Sequence, residues 1–291
     1  MPLYAETGSL IGQPFPGIEI LNIGSGLDHT QFTKFVSSLV LPHHFGEQGE
    51  LIDARPAQLF ERDIVAASRT PEKPRDPWAP DHHWHYDGGY SGGTNQFASV
   101  LYAQMLQGDE VAGTEFIDTA ALLSAIEVDH SGLSEELIKY RLQASVGRYF
   151  RQILPSYGGD AEAAIQRTLS AKGVSTLSEA ATLEERRYPP KHFPAIAIHP
   201  FRQKERCLMI DMLNVVHVLG ALAVREAEIL NLVRKEYLEL PKEELSQRPY
   251  YYRHTWEPGQ VVIFPQVGTL HRAEPSPAGE LRRDTLRLFI A

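Results

Sequence analysis

Three histidines and two aspartates crowd into seven residues, Asp81-His-His-Trp-His-Tyr-Asp87, and Gly88 and Gly89 follow at once. The stretch just before, residues 70–80, carries prolines at 71, 74, 77 and 80. Proline lacks an amide proton and fixes φ, so this stretch can form neither a helix nor a central strand. It is expected to be a surface loop that leads into the cluster. In an extended segment, residues two apart share a face. His83, His85 and Asp87 would then point one way, and His82, Trp84 and Tyr86 the other. Gly88-Gly89 would end the strand and let the backbone bend around the site.

Two imidazoles and one carboxylate suit Fe(II), because they leave one face of an octahedron open for a chelating cosubstrate and O2. His85 and Asp87 can supply two of these ligands, and a second histidine must come from elsewhere. Of the 12 histidines, His271 is the best candidate, since it follows the apolar run 260–264 and a short connecting segment. His254, His199 and His217 are weaker ones. Arg283 and Arg287 lie 12 and 16 residues beyond His271. On a strand their even spacing puts both guanidiniums and Thr285 on one face, roughly 13 Å apart, with Leu286, Leu288 and Ile290 on the other. An inward arginine face needs anionic partners, because a buried unpaired charge is costly. Bound carboxylates would provide them. The alternative is that both arginines lie on a solvated edge.

The rest of the chain sets the frame. Its 291 residues, 43% hydrophobic and 22% charged, are ordinary for a globular protein and ample for a core. A net charge of −9 gives no support for nucleic-acid binding. No apolar run reaches the roughly 18 residues of a membrane span, and the N-terminus lacks the pattern of a signal peptide. The single cysteine, Cys207, cannot form an intramolecular disulfide and reads as a small buried hydrophobe. These features fit a cytoplasmic protein, give no sign of a nucleic-acid or membrane partner, and leave homo-oligomer formation open. Helical spacing covers 216–237, with Pro241 just past its end, and 160–187, interrupted at Gly173. Residues 193–200, 249–256, 260–264 and 285–290 read as strands. Strands at both ends with helices between them predict one domain over 1–291, mainly β, with a largely helical insertion around 119–190.

Taken together, these residues resemble the taurine dioxygenase/2,4-dichlorophenoxyacetate dioxygenase family of Fe(II)/2-oxoglutarate-dependent oxygenases, in order, over most of residues 80–290. Trp84-His85-Tyr86-Asp87 is similar to the family's Trp-His-x-Asp. Gly113-Thr114-Glu115-Phe116 resembles its Gly-Gly-Asp-Thr-x-Phe, with Ala112 in place of the first glycine and no aspartate before the threonine. Phe193 to Pro200 resembles a recurrent His-Pro strand, and Arg253-His-Thr-Trp256-Glu-Pro-Gly259 the approach to the second histidine. Thr269-Leu-His271-Arg-Ala matches the distal ligand.

The resemblance implies a double-stranded β-helix (jelly-roll) core and His85, Asp87 and His271 as catalytic iron ligands. It implies Thr114 and Arg283 as 2-oxoglutarate contacts, with Arg282 the substitute if the register slips. Arg287 falls where some relatives hold an anionic group of the substrate, and Asp81 and Tyr90 would line the same pocket. The expected cofactors are Fe(II), 2-oxoglutarate as cosubstrate, and O2. The expected reaction is hydroxylation, desaturation or cyclisation of a small anionic or amino-acid-derived substrate, such as one of secondary metabolism, coupled to decarboxylation of 2-oxoglutarate to succinate. Halogenation is disfavoured, because Asp87 fills the position a halide would need. Two departures stand out. The usual Asp-Asn-Arg before the distal histidine is Pro265-Gln266-Val267, and Asp81 stands where relatives often carry asparagine. Two rival readings are a metallo-β-lactamase-like zinc hydrolase, for which Gly88 replaces a required histidine, and a non-catalytic jelly-roll binding protein.

Overall fold

A computed structural model describes residues 9–12, 18–45, 51–56, 65–69, 79–86, 98–107, 112–199, 202, 205–274 and 282–290. The largest sheet has six strands in the order β1 (Ser9–Gly12), β2 (Glu19–Asn22), β14 (Gln260–Pro265), β6 (Ala98–Gln107), β16 (Arg282–Ile290) and β5 (Val65–Arg69). Every residue of β14 is buried, which is why it reads as an unbroken apolar run rather than an alternating one. It lies between β2 and β6, antiparallel to both. Val261 and Ile263 face one way, onto Phe32, Phe35 and Val36 of helix α1 (His29–Ser37). Asp28 and Gln31 start that helix with a reciprocal capping box. Val262 and Phe264 face the other way, onto a second sheet.

That second sheet has three strands, β13 (Tyr251–His254), β7 (Thr114–Asp118) and β15 (Thr269–Ala273). Phe116 and Tyr252 project from it into the layer between the two sheets, with Ile18, Ala103, Trp256 and Phe264. Its opposite face carries Ile117 and Leu270 into the largest core, built with Trp84, Tyr86 and the helical part of the chain. The small sheet is therefore sandwiched between the six-stranded sheet and a helical layer.

In the helical layer, α2 (Thr119–Asp129) is capped by Asp118, whose carboxylate accepts from the amides of Ala120 and Ala121 and pairs with Arg202 at 2.5 Å. α3 (Leu133–Leu137) follows, then a π-helical turn at Tyr149–Ile153, α4 (Leu154–Ser156), α5 (Glu162–Lys172) and α6 (Leu177–Arg187). Gly173 separates the last two helices, as the sequence predicts. A third sheet, β12 (Val215–Leu219), β8 (Arg141–Ala144) and β9 (Lys191–Pro194), crosses this region. Two pairs, β10 (Ile196–Ile198) with β11 (Arg206–Leu208) and β3 (Val40–Phe45) with β4 (Leu51–Pro56), complete the strands. Later come α7 (Ala223–Asn231), a second π-helical segment at Leu232–Leu238 and α8 (Lys242–Leu245).

Three expectations change. Helices and strands take comparable shares of the described residues, so the content is mixed rather than mainly β. The helix predicted over 216–237 starts only at Ala223, because Val215-Val-His-Val-Leu219 forms β12, as suits a β-branched, alternating run. Leu222, assigned to the helix stripe, is the exposed residue before it, while Ile229, Leu230, Val233 and Tyr237 are buried. The histidine cluster is not a continuous strand: Pro80–His82 is a 3-10 turn, and only His85 makes a β-bridge. Among the described residues no helix is long and apolar enough to cross a membrane.

Candidate active site

His85 and His271 meet although they are far apart in sequence. Each backbone amide donates to the other's carbonyl, at 3.1 Å from His85 and 3.0 Å from His271. In such a hydrogen-bonded antiparallel pair both side chains leave on the same face. The two imidazoles accordingly lie 4.4 Å apart between centroids, and both are buried. β7 pairs with β15 on the other side, so His271 sits between two neighbours. Phe264 and Phe116 pack at 4.9 and 6.4 Å from its ring. Trp84 and Tyr86, on either side of His85, go instead into the core beneath. Alternation therefore holds over 84–86, even though no longer strand forms.

His85 Nδ1 lies 2.7 Å from the His83 carbonyl oxygen. A carbonyl can only accept, so Nδ1 carries the proton and a neutral ring keeps its lone pair on Nε2. That is the tautomer a metal ligand needs, held by the kind of outer partner that ligating histidines commonly have. A buried pair of imidazoles with one ring fixed in this way fits Fe(II) chemistry. Among the described residues no third histidine, cysteine or carboxylate completes a metal-ligating group with them. Asp87 lies outside the described residues, as does Tyr90.

Thr114 starts β7 two residues before Phe116, the register partner of His271, so Thr114 and His271 share the face between the sheets. Thr114 is buried, and its oxygen accepts from the Trp256 indole at 2.9 Å. Its own hydroxyl proton is thereby directed elsewhere. The glycine before it is sterically required: a Cβ at Gly113 would come within 2.7 Å of both Glu274 Oε2 and the His254 carbonyl oxygen. The Gly113 amide donates to that same carboxylate oxygen at 2.7 Å.

On β16, Arg283 stands opposite Leu106 and Arg287 opposite Leu101. Both leucines pack against the layer between the sheets, whereas Leu286 is buried with α1. Thr285 and Arg287 are half-buried. The alternation expected on this strand holds over 285–287, which places Arg287 on the same side of the large sheet as the two histidines. The side chains of Arg282, Arg283 and Asp81 lie outside the described residues; Asp81 itself is in the 3-10 turn.

The weaker histidine candidates have other roles. His217 is exposed and paired with Glu226 at 2.7 Å. His199 is buried against Gly268, where φ is +101° and a Cβ would meet the imidazole at 2.4 Å. Burial, aided by Arg202, pushes His199 down to about 3. His254 is buried beside Trp256, ring centroids 4.5 Å apart, and burial lowers it to about 4. Two contributors, Tyr157 and Trp256, are not singled out by the sequence. His83 and Tyr157 contact each other directly next to His85, Nε2 to hydroxyl at 3.0 Å. Burial, and then the charges of His82, Arg148 and Arg272, lower His83 to about 4. Trp256 lies in the Arg253–Gly259 segment, where the sequence marks no role for it. Tyr157 had no local signal at all.

Comparison with known proteins identifies the family. The family model described as taurine catabolism dioxygenase TauD, TfdA family matches residues 20–289. The fold is similar to that of AAD-2 in complex with Mn(II) and N-oxalylglycine: TM-score 0.58 and 16% identity, covering 81% of this chain and 76% of that one. It is also similar to that of a putative alpha-ketoglutarate-dependent taurine dioxygenase from Burkholderia xenovorans: TM-score 0.56 and 14% identity, covering 94% and 78%. At these identities the likeness speaks for the fold alone. No curated protein sequence matches the chain significantly. The family match extends over nearly the whole chain and displaces the zinc-hydrolase alternative. The chain therefore belongs to the TauD/TfdA family of dioxygenases, which use Fe(II), 2-oxoglutarate and O2.

Proposed function

We propose that this chain is a single oxygenase domain over 1–291, with a jelly-roll core and a largely helical insertion around 119–190, that oxidises a small anionic or amino-acid-derived substrate. The observation that carries this reading is the bridge between His85 and His271, which brings two buried imidazoles to 4.4 Å with His85 held in the metal-binding tautomer. The two facing sheets, with the histidines on the inner face of the smaller, support the jelly-roll assignment.

His85, Asp87 and His271 would hold Fe(II). Bound there, the metal supplies activation of O2 coupled to decarboxylation of 2-oxoglutarate to succinate and CO2. The protein's share is orientation and exclusion of water. Thr114 would donate its hydroxyl proton to 2-oxoglutarate, because Trp256 already donates to its oxygen. Arg283 would pair with the distal carboxylate in the forked geometry that guanidinium and carboxylate share. Arg287 would hold an acidic group of the substrate, with Asp81 and Tyr90 at the same pocket. The product would be a hydroxylated, desaturated or cyclised form of that substrate.

Succinate release with a panel of small acids and amino acids tests the assignment. Arg283→Ala should raise the KM for 2-oxoglutarate about tenfold or more, as loss of a charged hydrogen-bonding pair does. Arg287→Ala should leave that KM unchanged and weaken the primary substrate instead. Unchanged substrate affinity in Arg287→Ala would remove Arg287 from the binding site.

A further inference from the structure

The peptide of His83 is tied on two sides. Its carbonyl oxygen accepts from His85 Nδ1 at 2.7 Å, and its ring Nε2 lies 3.0 Å from the Tyr157 hydroxyl. The two rings are 6.0 Å apart. Tyr157 follows α4 directly and precedes a 3-10 turn at Gly158–Ala161. It packs on a satellite core of its own, with Tyr149, Phe150, Ile153 and Leu154 among its members. That stretch begins with the π-helical turn at Tyr149–Ile153, a distortion often found at functional sites.

The neighbours of His83 are fixed by other elements. His82 Nδ1 lies 2.7 Å from the Ala273 carbonyl, and the Trp84 carbonyl accepts from Met212 N at 2.9 Å. The Trp84 indole donates to the Leu238 carbonyl at 2.9 Å. These contacts set the path of the chain through 82–84, but none of them holds the ring of His83. A residue 74 positions away does.

We propose that Tyr157 is a positioning residue for the metal site: by holding the His83 ring it fixes the His83 carbonyl, and through that carbonyl the tautomer and ring angle of His85. The proposal rests on His85 being an iron ligand. It makes the helical layer part of the metal site's support, although no residue of that layer is assigned to the site. Outer partners of ligating histidines typically change metal affinity by about 10–100-fold. Tyr157 acts one link further out, so its effect should fall at or below the low end of that range.

Anaerobic titration of the full chain with Fe(II), followed by 2-oxoglutarate, tests this in the wild type, Tyr157→Phe, His83→Ala, the double variant and His85→Ala. Tyr157→Phe should weaken Fe(II) about 3- to 10-fold and shift the Fe(II)–2-oxoglutarate charge-transfer band, with Tm little changed. His83→Ala should do the same, and the double variant should be no worse than either single one, since all three cut one tie. His83→Gln, which can still accept from the phenol, should recover part of the loss. Wild-type affinity and an unshifted band in Tyr157→Phe would overturn the proposal. So would losses that multiply in the double variant. A Tyr157→Phe that loses iron only together with its melting transition, while His83→Ala binds iron normally, also counts against it. His85→Ala separates the two readings: normal Fe(II) binding there sinks the ligand assignment itself, whereas lost binding there with a silent Tyr157→Phe sinks only the positioning role.

Discussion

β15 sends two adjacent residues to opposite faces of one small sheet, and the two faces follow different rules. His271 looks toward the six-stranded sheet, among Phe116, Phe264 and the His85 imidazole. Arg272 looks toward the helical layer, where it pairs with buried Glu115 at 2.5 Å and stacks over Trp84 at 4.4 Å. Tyr251 donates to the same glutamate. At the sheet's margin Glu274 is gripped by both Arg253 and Lys242. On this face the charges are satisfied within the chain, and charges closed on one another can stabilise but have nothing left to offer a ligand. The other face presents imidazoles and a hydroxyl among aromatic rings, a donor set suited to a cation and its chelate. The difference is that one side of the sheet closes its charges on one another, while the other leaves buried imidazoles side by side.

The largest effect that would sharpen this contrast is on stability. Arg272→Ala leaves Glu115 as a buried, half-compensated charge, and breaking such a pair costs about 3–5 kcal/mol. Urea unfolding should show that loss, while the fraction that remains folded should still bind Fe(II). A stable Arg272→Ala that has lost iron would break the division between faces.

Next comes acid sensitivity. Burial opposes the charge on Glu274, but hydrogen bonds from Arg253, Lys242 and the Gly113 amide outweigh it and hold the carboxyl at about 2, against an ordinary 4.5. A folded-state value below the unfolded one means the stabilisation is complete above about pH 4.5 and is lost as pH falls toward 2. Stability measured between pH 5 and 3 should fall more steeply in the wild type than in Glu274→Gln; equal slopes would remove Glu274 from the account. The smallest effect belongs to the histidine face. Trp256→Phe removes the donor to Thr114 and should weaken 2-oxoglutarate about fivefold, roughly 1 kcal/mol, with Fe(II) affinity unchanged. An unchanged KM for 2-oxoglutarate would mean that Thr114 does not need orienting.

Much of this contrast was legible in the sequence. Buried β14 read as a strand because an apolar run of that length, bounded by Pro258-Gly259 and Pro265, leaves few options. The helices on either side of Gly173 are legible from their helical spacing and the glycine that interrupts it. The pairing of His85 with His271 could be inferred because both sit in motifs with ordered neighbours. Val215–Leu219 was misread because a short apolar run fits helical and strand periods alike, and only its pairing with β8 decides between them. The strand expected at the cluster is instead a 3-10 turn and a bridge, since Pro80 opens that turn. The Tyr157–His83 contact and the Arg272–Glu115 pair were invisible, because contacts between distant segments leave no periodic trace.

The most direct test of the central claim sets those two neighbours on β15 against each other. Wild type, His271→Ala and Arg272→Ala are each given Fe(II) and 2-oxoglutarate without oxygen, and the visible charge-transfer band is recorded. The band is expected in the wild type and in folded Arg272→Ala, and is expected to be absent in folded His271→Ala. A band that survives in His271→Ala, or none in well-folded wild type, would contradict that claim.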